Sequence, residues 1–350
     1  MQSDSTRSRT DSKAPVRKGR IIGVDIGNYR IKMAACNNGV LEKFISVQHP
    51  DNMVKGNQIV SWQAMGDYLK ELVKASGIRG KAAAVTLPQD STYIRRTTMP
   101  LMTEAQLKIN LPYEFHDYIS DEPEKYAYDY AVISRNDREM DLMAVAAPKD
   151  LLEKYTAMFK RAGLKLTIAA PDVMAFTYIF REYERRNQTE HGTKDYVVLD
   201  LGDSKVELHF FSGGEYEITR SMEPGCRAIY DKVAEITGED SHIVQMNAEA
   251  ITAASATQPD SEVSEEVQDI CSSMAVQIMR VLNFYSFNNP KNTIDAIYYC
   301  GGGAKFDALM KEIRNDTDMP LKSLSGILQA DPKYSSLLEQ SPQAYGITMS

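Results

Sequence analysis

The sequence is poor in cysteine and histidine, with four and five of them among 350 residues. No two cysteines have Cys-x-x-Cys spacing and the histidines are isolated, so no metal centre of neighbouring ligands can be built from them. No nucleophile motif of the Ser/His/Asp or Cys/His kind is present either. Scattered free thiols are typical of a reducing compartment.

Positive charge and long apolar runs are also scarce. The net charge of −8 argues against a nucleic-acid partner, because binding to phosphates needs a basic surface. No apolar run approaches the ~18 residues of a membrane-spanning helix. Residues 1–20 are polar and basic without the apolar core of a signal peptide, so we predict a disordered tail there.

What the sequence does contain is a repeated pattern. The stretch VDIGNYRIKMAA (residues 24–35) has an Asp-x-Gly turn between two strand-like runs, and LDLGDSKVELHF (residues 199–210) repeats it. A third element, YYCGGGAKF (residues 298–306), is typical of a strand, a glycine-rich turn and a helix. A polar linker at residues 186–194 separates two related halves. The alternation of strands and helices predicts an α/β fold with helices packed on sheets.

The chemistry of these turns favours an anionic ligand. Glycine lets the backbone approach a ligand closely, and successive N–H groups of a tight turn form a concave site for phosphate. A lysine on the following strand adds a positive charge, and an aspartate before the glycine can hold a hydrated Mg²⁺. Two such turns facing each other would hold a triphosphate from both sides. The pattern therefore predicts a nucleotide cleft.

This triple pattern resembles the superfamily of actin, heat-shock chaperone and sugar-kinase ATPases. Asp25, Gly27 and Lys32 match its first phosphate motif, Asp200 and Gly202 its second, and Gly301–Gly303 its adenosine motif. The resemblance implies an actin-like fold, which is a duplicated RNase H-like, two-lobed ATPase fold with an inserted FtsA-type subdomain. It implies binding of ATP and Mg²⁺, with Asp25 and Asp200 near the metal through water. The implied nucleotide-binding residues are Asp25, Gly27, Asn28, Tyr29, Lys32, Asp200, Gly202, Asp203, Lys205, Gly225, Gly301, Gly302, Gly303 and Lys305.

Within that superfamily, four further stretches resemble the PilM family of type IV pilus assembly proteins, namely residues 85–119, 141–176, 278–313 and 343–349. The resemblance implies a cytoplasmic ATP-binding adaptor at the inner face of the plasma membrane. Its partner would be the short cytoplasmic segment of a PilN-like inner-membrane protein, which would be its only link to the membrane. Pilus motor ATPases and self-association are further implied contacts.

The resemblance also divides the sequence into parts. It implies a first lobe at residues 21–190 with a partner-binding subdomain inserted at about 89–148. A second lobe follows at residues 195–350, with a small subdomain at about 223–275. Thr103 and Gln106 inside the insertion have the spacing of a capping box, which predicts a helix that begins there and meets Pro112.

Several residues depart from the family pattern. Asn28 and Tyr29 stand where small hydroxyl residues are usual, Asp203 adds a negative charge beside the second turn, and Cys226 replaces a glycine. A scaffold without nucleotide is therefore an alternative to an ATP-binding one. Glu223 is the only candidate that we identify for orienting an attacking water, so we expect slow or absent hydrolysis.

Two other functions remain open from the sequence. One is a filament-forming division protein like FtsA, whose family carries a membrane-binding helix after the core. The sequence argues against this function, because it closes with YGITMS directly after the core pattern. The other is a small-molecule kinase, which would need a catalytic base and a polar substrate pocket. We find no motif for either of these features.

Overall fold

The fold is described by a computed structural model over residues 19–50, 52–190, 192–246 and 262–350. The predicted tail at residues 1–20 lies outside these residues, apart from its last two. The strands are β1 (Arg20–Ile26), β2 (Arg30–Asn37), β3 (Val40–Gln48), β4 (Val54–Lys55), β5 (Gln58–Ile59), β6 (Ala82–Leu87), β7 (Tyr93–Pro100), β8 (Tyr126–Arg135), β9 (Glu139–Pro148), β10 (Lys165–Pro171), β11 (Tyr196–Leu201), β12 (Val206–Ser212), β13 (Glu215–Met222), β14 (Ala296–Cys300) and β15 (Leu321–Ser323). The helices are α1 (Trp62–Ser76), α2 (Glu104–Asn110), α3 (Lys149–Arg161), α4 (Asp172–Asn187), α5 (Arg227–Thr237), α6 (Ser241–Met246), α7 (Glu262–Asn288), α8 (Asp307–Asp316), α9 (Ser335–Gln340) and α10 (Gln343–Gly346).

Two five-stranded sheets have the same topology. Their orders are β3-β2-β1-β6-β10 and β13-β12-β11-β14-β15. In each sheet the first strand of an antiparallel meander lies at the centre and pairs in parallel with the strand on its other side. The two central strands are buried apolar runs that each contain one partly exposed aspartate, Asp25 and Asp200. The repeated sequence pattern thus corresponds to a repeated sheet.

Each sheet is covered by helices on both faces. One face of the first sheet forms a core with α1 and α3, and one face of the second forms a core with α5, α7 and α8. Helix α4 packs Phe176 and Phe180 against Tyr196 and Phe211 of the second sheet. Helix α10 packs Ala344 and other residues against the first. Helices α4 and α10 therefore lie on the faces of the two sheets that are turned toward each other.

A separate three-stranded sheet, in the order β7-β9-β8, lies in the chain between β6 and α3. Helix α2 and a 3₁₀ segment (Leu111–Phe115) cover it with Leu107, Leu111 and Phe115. Thr103 and Gln106 form the predicted capping box at the start of α2. The α-helix ends just before Pro112, because proline cannot continue its hydrogen-bond ladder.

Residues 341–349 pack on the first sheet and on α4 through two close backbone approaches, one to each. A Cβ added to Gly23 of β1 would overlap the carbonyl oxygen of Ala344 in α10, and one added to Gly346 would lie 2.6 Å from the carbonyl oxygen of Ala175. Glycine is required at both positions because any side chain would push α10 away from β1 or α4. Among the described residues, no helix is both long enough and apolar enough to cross a membrane.

Replacing Gly23 by alanine should therefore destabilise the protein. The overlap involves backbone rather than a flexible side chain, so we expect a cost at the upper end of the about 1–3 kcal/mol typical of overpacking. The measurement is the midpoint of thermal unfolding, which should fall by several degrees. Gly326→Ala is the matched control, because a Cβ there meets nothing within 4 Å. Equal midpoints for both variants would show that the backbone contact is not required.

A candidate nucleotide cleft between the two sheets

The carboxyl ends of the two central strands open into one cleft of about 940 Å³. Twelve of the predicted site residues line it: Asp25, Gly27, Asn28, Tyr29, Lys32, Asp200, Gly202, Asp203, Lys205, Gly302, Gly303 and Lys305. Gly225 and Gly301 are not part of its lining. Their backbones instead lie against the back of the second turn, where Gly225 N–H donates to Ser204 O and a Cβ on Gly301 would lie 2.5 Å from Leu201 O. These two glycines support the turn and do not face the cleft.

Asp25 is held by three side chains from three different elements. Lys32 Nζ lies 3.0 Å from Asp25 Oδ2, and Thr86 at the end of β6 donates to Oδ1 at 3.0 Å. Ser341 donates to Oδ2 at 3.2 Å. Lys32 was predicted to add positive charge for a phosphate, and in the structure it is paired with Asp25. Its ammonium group compensates the carboxylate at the base of the cleft.

Asp200 occupies the equivalent place in the second sheet, but its surroundings differ. Gln343 Nε2 donates to Asp200 Oδ2 at 2.6 Å. The residue directly across the strand pair is Glu207, whereas Lys32 stands across from Asp25 in the first sheet. Burial, and next to it the nearby Glu207 charge, raises the pKa of the Asp200 carboxyl to about 7. This carboxyl is therefore protonated in a large fraction of molecules near pH 7.

Lys205 links the two lobes across the cleft. Its ammonium group lies 2.9 Å from Glu207 Oε1 and 3.1 Å from Asp90 Oδ2. Asp90 belongs to the segment that leads from β6 into the three-stranded sheet. Next to it, Gln89 donates to Thr219 Oγ1 of β13 at 2.8 Å. The start of the inserted segment is thus tied to the second lobe by two polar contacts.

The two glycine turns also touch each other directly. Asn28 Nδ2 donates to Ser204 Oγ at 2.8 Å, and the same amide group lies 2.6 Å from Asn57 Oδ1. Gln48 and His242 make a further contact between the lobes, with 3.0 Å between their Nε2 atoms. These contacts bridge the two sides of the cleft at the turns.

Two of the residues that depart from the family pattern, Asp203 and Tyr29, have side-chain partners in the structure. Asp203 accepts from Arg227 Nη2 at 2.9 Å and from Gln245 Nε2 at 2.6 Å, so its charge is compensated. Tyr29 donates to Gln48 Oε1 at 3.1 Å, and its ring packs edge-on against His242. The Tyr29 hydroxyl is thereby directed to strand β3.

Cys226, the residue in place of a family glycine, packs against the glycine-rich turn. A Cβ on Gly303 would overlap the Cys226 sulfur. The thiol is buried, and burial raises its pKa far above the usual range. Cys226 therefore acts as a small apolar side chain that fills the space behind Gly303.

The sequence analysis missed several polar residues of the cleft. The lining includes Thr86, Asp172, Glu207, Ser341 and Gln343. Asp172 begins α4 directly after β10, and the carboxyl end of a strand in an open α/β sheet is a usual position for ligand-binding residues. That rule could have identified it. Glu223, the candidate for orienting water, is exposed and does not belong to the lining.

Asp172 adds a further acidic group to the cleft, besides Asp25, Asp200, Asp203 and Glu207. Its Oδ1 accepts from its neighbour Val173 N–H at 2.7 Å. Burial raises the pKa of Asp172 well above its usual range, and Glu207 adds to the effect. Even so, the described part of the chain holds no cluster of three or more His, Cys, Asp or Glu side chains placed to bind a metal ion. A cation at Asp25 and Asp200 would need water or phosphate oxygens to complete its shell.

The raised pKa of Asp200 predicts a pH-dependent stability. The folded state retains the proton up to about pH 7, whereas the unfolded chain loses it near about pH 4. Stability of the ligand-free protein is therefore lost as the pH rises from about 4 through 7. Asp200→Asn removes this loss, so its unfolding midpoint should exceed that of the wild type by several degrees at about pH 8 and by less at about pH 5. The measurement is thermal unfolding at both pH values.

Asp137→Asn is the control for this experiment, because Asp137 is an exposed carboxylate in the turn between β8 and β9, away from the cleft. Its substitution should have the same small effect at both pH values. A gain from Asp200→Asn that does not change with pH would contradict the assigned pKa.

Comparison with known proteins identifies the family. The family described as type IV pilus assembly protein PilM matches residues 23–335. A solved structure of a PilM-PilN type IV pilus biogenesis complex is similar at 17% identity, covering 96% of this chain and 98% of that chain with a TM-score of 0.74. The ethanolamine utilization protein EutJ from Carboxydothermus hydrogenoformans is similar at 15% identity, covering 96% and 91% with a TM-score of 0.57. These likenesses confirm the predicted α/β, actin-like ATPase fold. Because the family match spans most of the sequence, the chain belongs to the PilM family of type IV pilus assembly proteins.

Proposed function

We propose that this chain is a nucleotide-binding adaptor of a type IV pilus or related secretion platform. The observation that carries the nucleotide part is the pair of Asp-x-Gly turns, at Asp25 and Asp200, that line one cleft from two equivalent sheets. The adaptor part rests on membership of the PilM family. In this proposal residues 21–190 form the first lobe, with a partner-binding subdomain at about 89–148, and residues 195–350 form the second lobe, with a small subdomain at about 223–275.

The residues of the cleft fit ATP and Mg²⁺ in four respects. The volume of about 940 Å³ lies within the usual range for small-molecule sites. A Cβ on Gly202 would lie 2.5 Å from Lys205 O, so the second turn has the close backbone of a phosphate-binding loop. A Cβ on Gly302 would meet nothing within 4 Å, which leaves room beside the third glycine element. The acidic groups at the base provide oxygen ligands of the type that Mg²⁺ prefers.

In the proposed complex, the turns at Gly27 and Gly202 hold the phosphates and the Gly301–Gly303 turn contacts the adenosine. Asp25 and Asp200 hold Mg²⁺ through water, and the ion neutralises the phosphate oxygens. Asn28, Tyr29, Lys32, Asp203, Lys205 and Lys305 complete the proposed set of nucleotide-binding residues, whereas Gly225 and Gly301 support the second turn from behind. Phosphates between the turns would replace the Asn28–Ser204 hydrogen bond and draw Lys205 from Asp90.

We further propose that hydrolysis is slow or absent. Asp172 lies in the cleft and has its pKa raised by burial and by Glu207. A protonated carboxyl accepts no proton from a water, so it is a poor general base. The nucleotide then has a structural role and stabilises one arrangement of the two lobes.

Thermal unfolding with and without Mg·ATP tests the nucleotide site. A ligand that binds the folded state alone stabilises it by about 2.7 kcal/mol at a concentration one hundred times its Kd. We expect a rise of several degrees in the wild type at millimolar Mg·ATP. The rise should be lost in Asp25→Ala and in Asp200→Ala, because each variant removes one side of the metal site.

Two controls sharpen this test. Chelation of Mg²⁺ should reduce the rise if the aspartates act through the ion, and Asp137→Ala, in the turn between β8 and β9, should keep it in full. No rise in the wild type at millimolar Mg·ATP would overturn the nucleotide proposal. The chain would then be an actin-like scaffold that serves its partners without a nucleotide.

For the partner we propose the short cytoplasmic segment of a PilN-like inner-membrane protein. Support comes from the family and from the similar solved structure, which is of a PilM-PilN complex. The chain would then lie in the cytoplasm at the inner face of the plasma membrane and reach the membrane through this partner. Contacts with pilus motor ATPases and self-association are further parts of the proposal.

Calorimetric titration with a synthetic peptide tests the partner. The peptide carries the cytoplasmic N-terminal segment of a PilN-like protein from the same organism, and a scrambled peptide of the same composition is the control. We expect saturable one-to-one binding, with a Kd in the micromolar range, for the native order only. Equal binding of both peptides, or of neither, would remove the support for a PilN-like partner while leaving the nucleotide test unaffected.

A further inference from the structure

Helix α2 and the 3₁₀ segment Leu111–Phe115 form a helical layer over the three-stranded sheet. The solvent-facing side of this layer does not contribute to the core beneath it. Leu107, Leu111 and Phe115 point inward and are almost fully buried against the sheet. These three residues anchor the layer to the sheet, and the residues between them do not contribute to this anchoring. Those intervening residues face solvent, and apolar side chains among them do not contribute to this core.

Four apolar residues nevertheless lie exposed on or beside this layer, and we name them together the α2 surface. Their exposed fractions are 48% for Leu101, 68% for Ile109, 72% for Tyr113 and 57% for Tyr118. Ile109 in α2 and Tyr113 in the 3₁₀ segment after it each lie two positions from buried residues of this layer, so both face away from the sheet. Single exposed apolar residues are normal, but a group of them marks an interaction site.

The charge around the α2 surface is acidic. Residues 101–125 contain six acidic and two basic residues, a net charge of −4. Both lysines are paired within the segment, Lys108 with Glu104 at 2.8 Å and Lys125 with Asp121 at 2.9 Å. Arg95 from β7 stacks over the Tyr118 ring at 5.3 Å and lies 3.9 Å from Glu114 Oε2. The surface thus combines exposed apolar groups with an excess of negative charge.

We propose that the α2 surface docks a basic amphipathic segment of another protein. Apolar side chains of the partner would cover Ile109 and Tyr113, and its lysine or arginine residues would meet the acidic groups around them. This goes beyond the proposed function, because it concerns a second partner and depends on neither the nucleotide nor the PilN-like segment.

Charge argues against the other occupants. A two-fold contact with a second copy places the same patch opposite itself, so acidic groups would face acidic groups. An anionic membrane surface attracts basic segments and would repel this one. A basic partner is the occupant that gains from both the apolar and the charged features.

Fluorescence anisotropy with a labelled designed peptide tests the proposal on the full-length, nucleotide-free protein. The probe is a helical peptide of about 16 leucine and lysine residues in amphipathic order. Two comparison peptides are a scrambled form of the same composition and a form with glutamate in place of lysine. We expect micromolar binding of the amphipathic basic probe, weaker binding of the scrambled form and none of the acidic form.

Variants locate the binding. The double variant Ile109→Ser, Tyr113→Ser should raise the Kd of the probe about ten-fold or more, which corresponds to a loss of at least about 1.4 kcal/mol of binding free energy. Asp117→Lys should weaken it as well, most clearly at low salt. These side chains are exposed, so the fold should be kept, and an unchanged unfolding midpoint verifies this. Phe287→Ser is the matched control, because Phe287 is an 85% exposed aromatic on α7.

Three results would overturn the proposal. One is equal binding of the probe to wild type and to the Ile109→Ser, Tyr113→Ser variant. Another is a dimer, measured by light scattering, that this double variant abolishes, since the surface would then serve a second copy. The last is binding to phosphatidylserine vesicles that the double variant loses. None of these results bears on the Mg·ATP or PilN-like peptide tests.

Discussion

The structure depends on holding two largely buried carboxylates at the base of one cleft. Asp25 and Asp200 end equivalent central strands, and each receives a hydrogen bond from the same short segment, from Ser341 and from Gln343 respectively. A buried charge is costly unless it is paired or hydrogen-bonded. Residues 341–343 donate hydrogen bonds to both carboxylates, which belong to different lobes. The relative position of the two lobes therefore depends on this segment.

The duplication preserves geometry but not charge. The residue across the strand pair is a lysine in the first sheet and a glutamate in the second. Asp25 therefore has a cation beside it, while Asp200 has a like charge and a pKa raised mainly by burial. A divalent cation between them would favour the charged form of Asp200. In this acidic pair, Asp25 is compensated by Lys32 and Asp200 is only partly ionised near pH 7, so a positive ligand would stabilise the charged form of Asp200.

Local patterns predicted much of this, and many of the missed contacts are long-range. The Asp-x-Gly turns, the central strands and the capping box at Thr103 follow from residues within a few positions of each other. Ser341 and Gln343 are 316 and 143 residues from the aspartates that they contact, and no local signal connects them. Cys226 and Gly303 meet in the same way across the fold. The partnership of Lys205 with Asp90 also required the two lobes to be placed together.

The contacts across the cleft connect ligand binding in the cleft to the three-stranded sheet. Gln89 and Asp90 stand at the start of that insertion and bond to Thr219 and Lys205 of the second lobe. A ligand that binds Lys205 must compete with Asp90 for the same ammonium group. Its binding free energy then includes the cost of releasing this contact, and by linkage a partner that alters the insertion changes the affinity of the cleft by the same factor. An adaptor built this way would relate a nucleotide in its cleft to partners on its insertion, through side chains that the structure already places in contact.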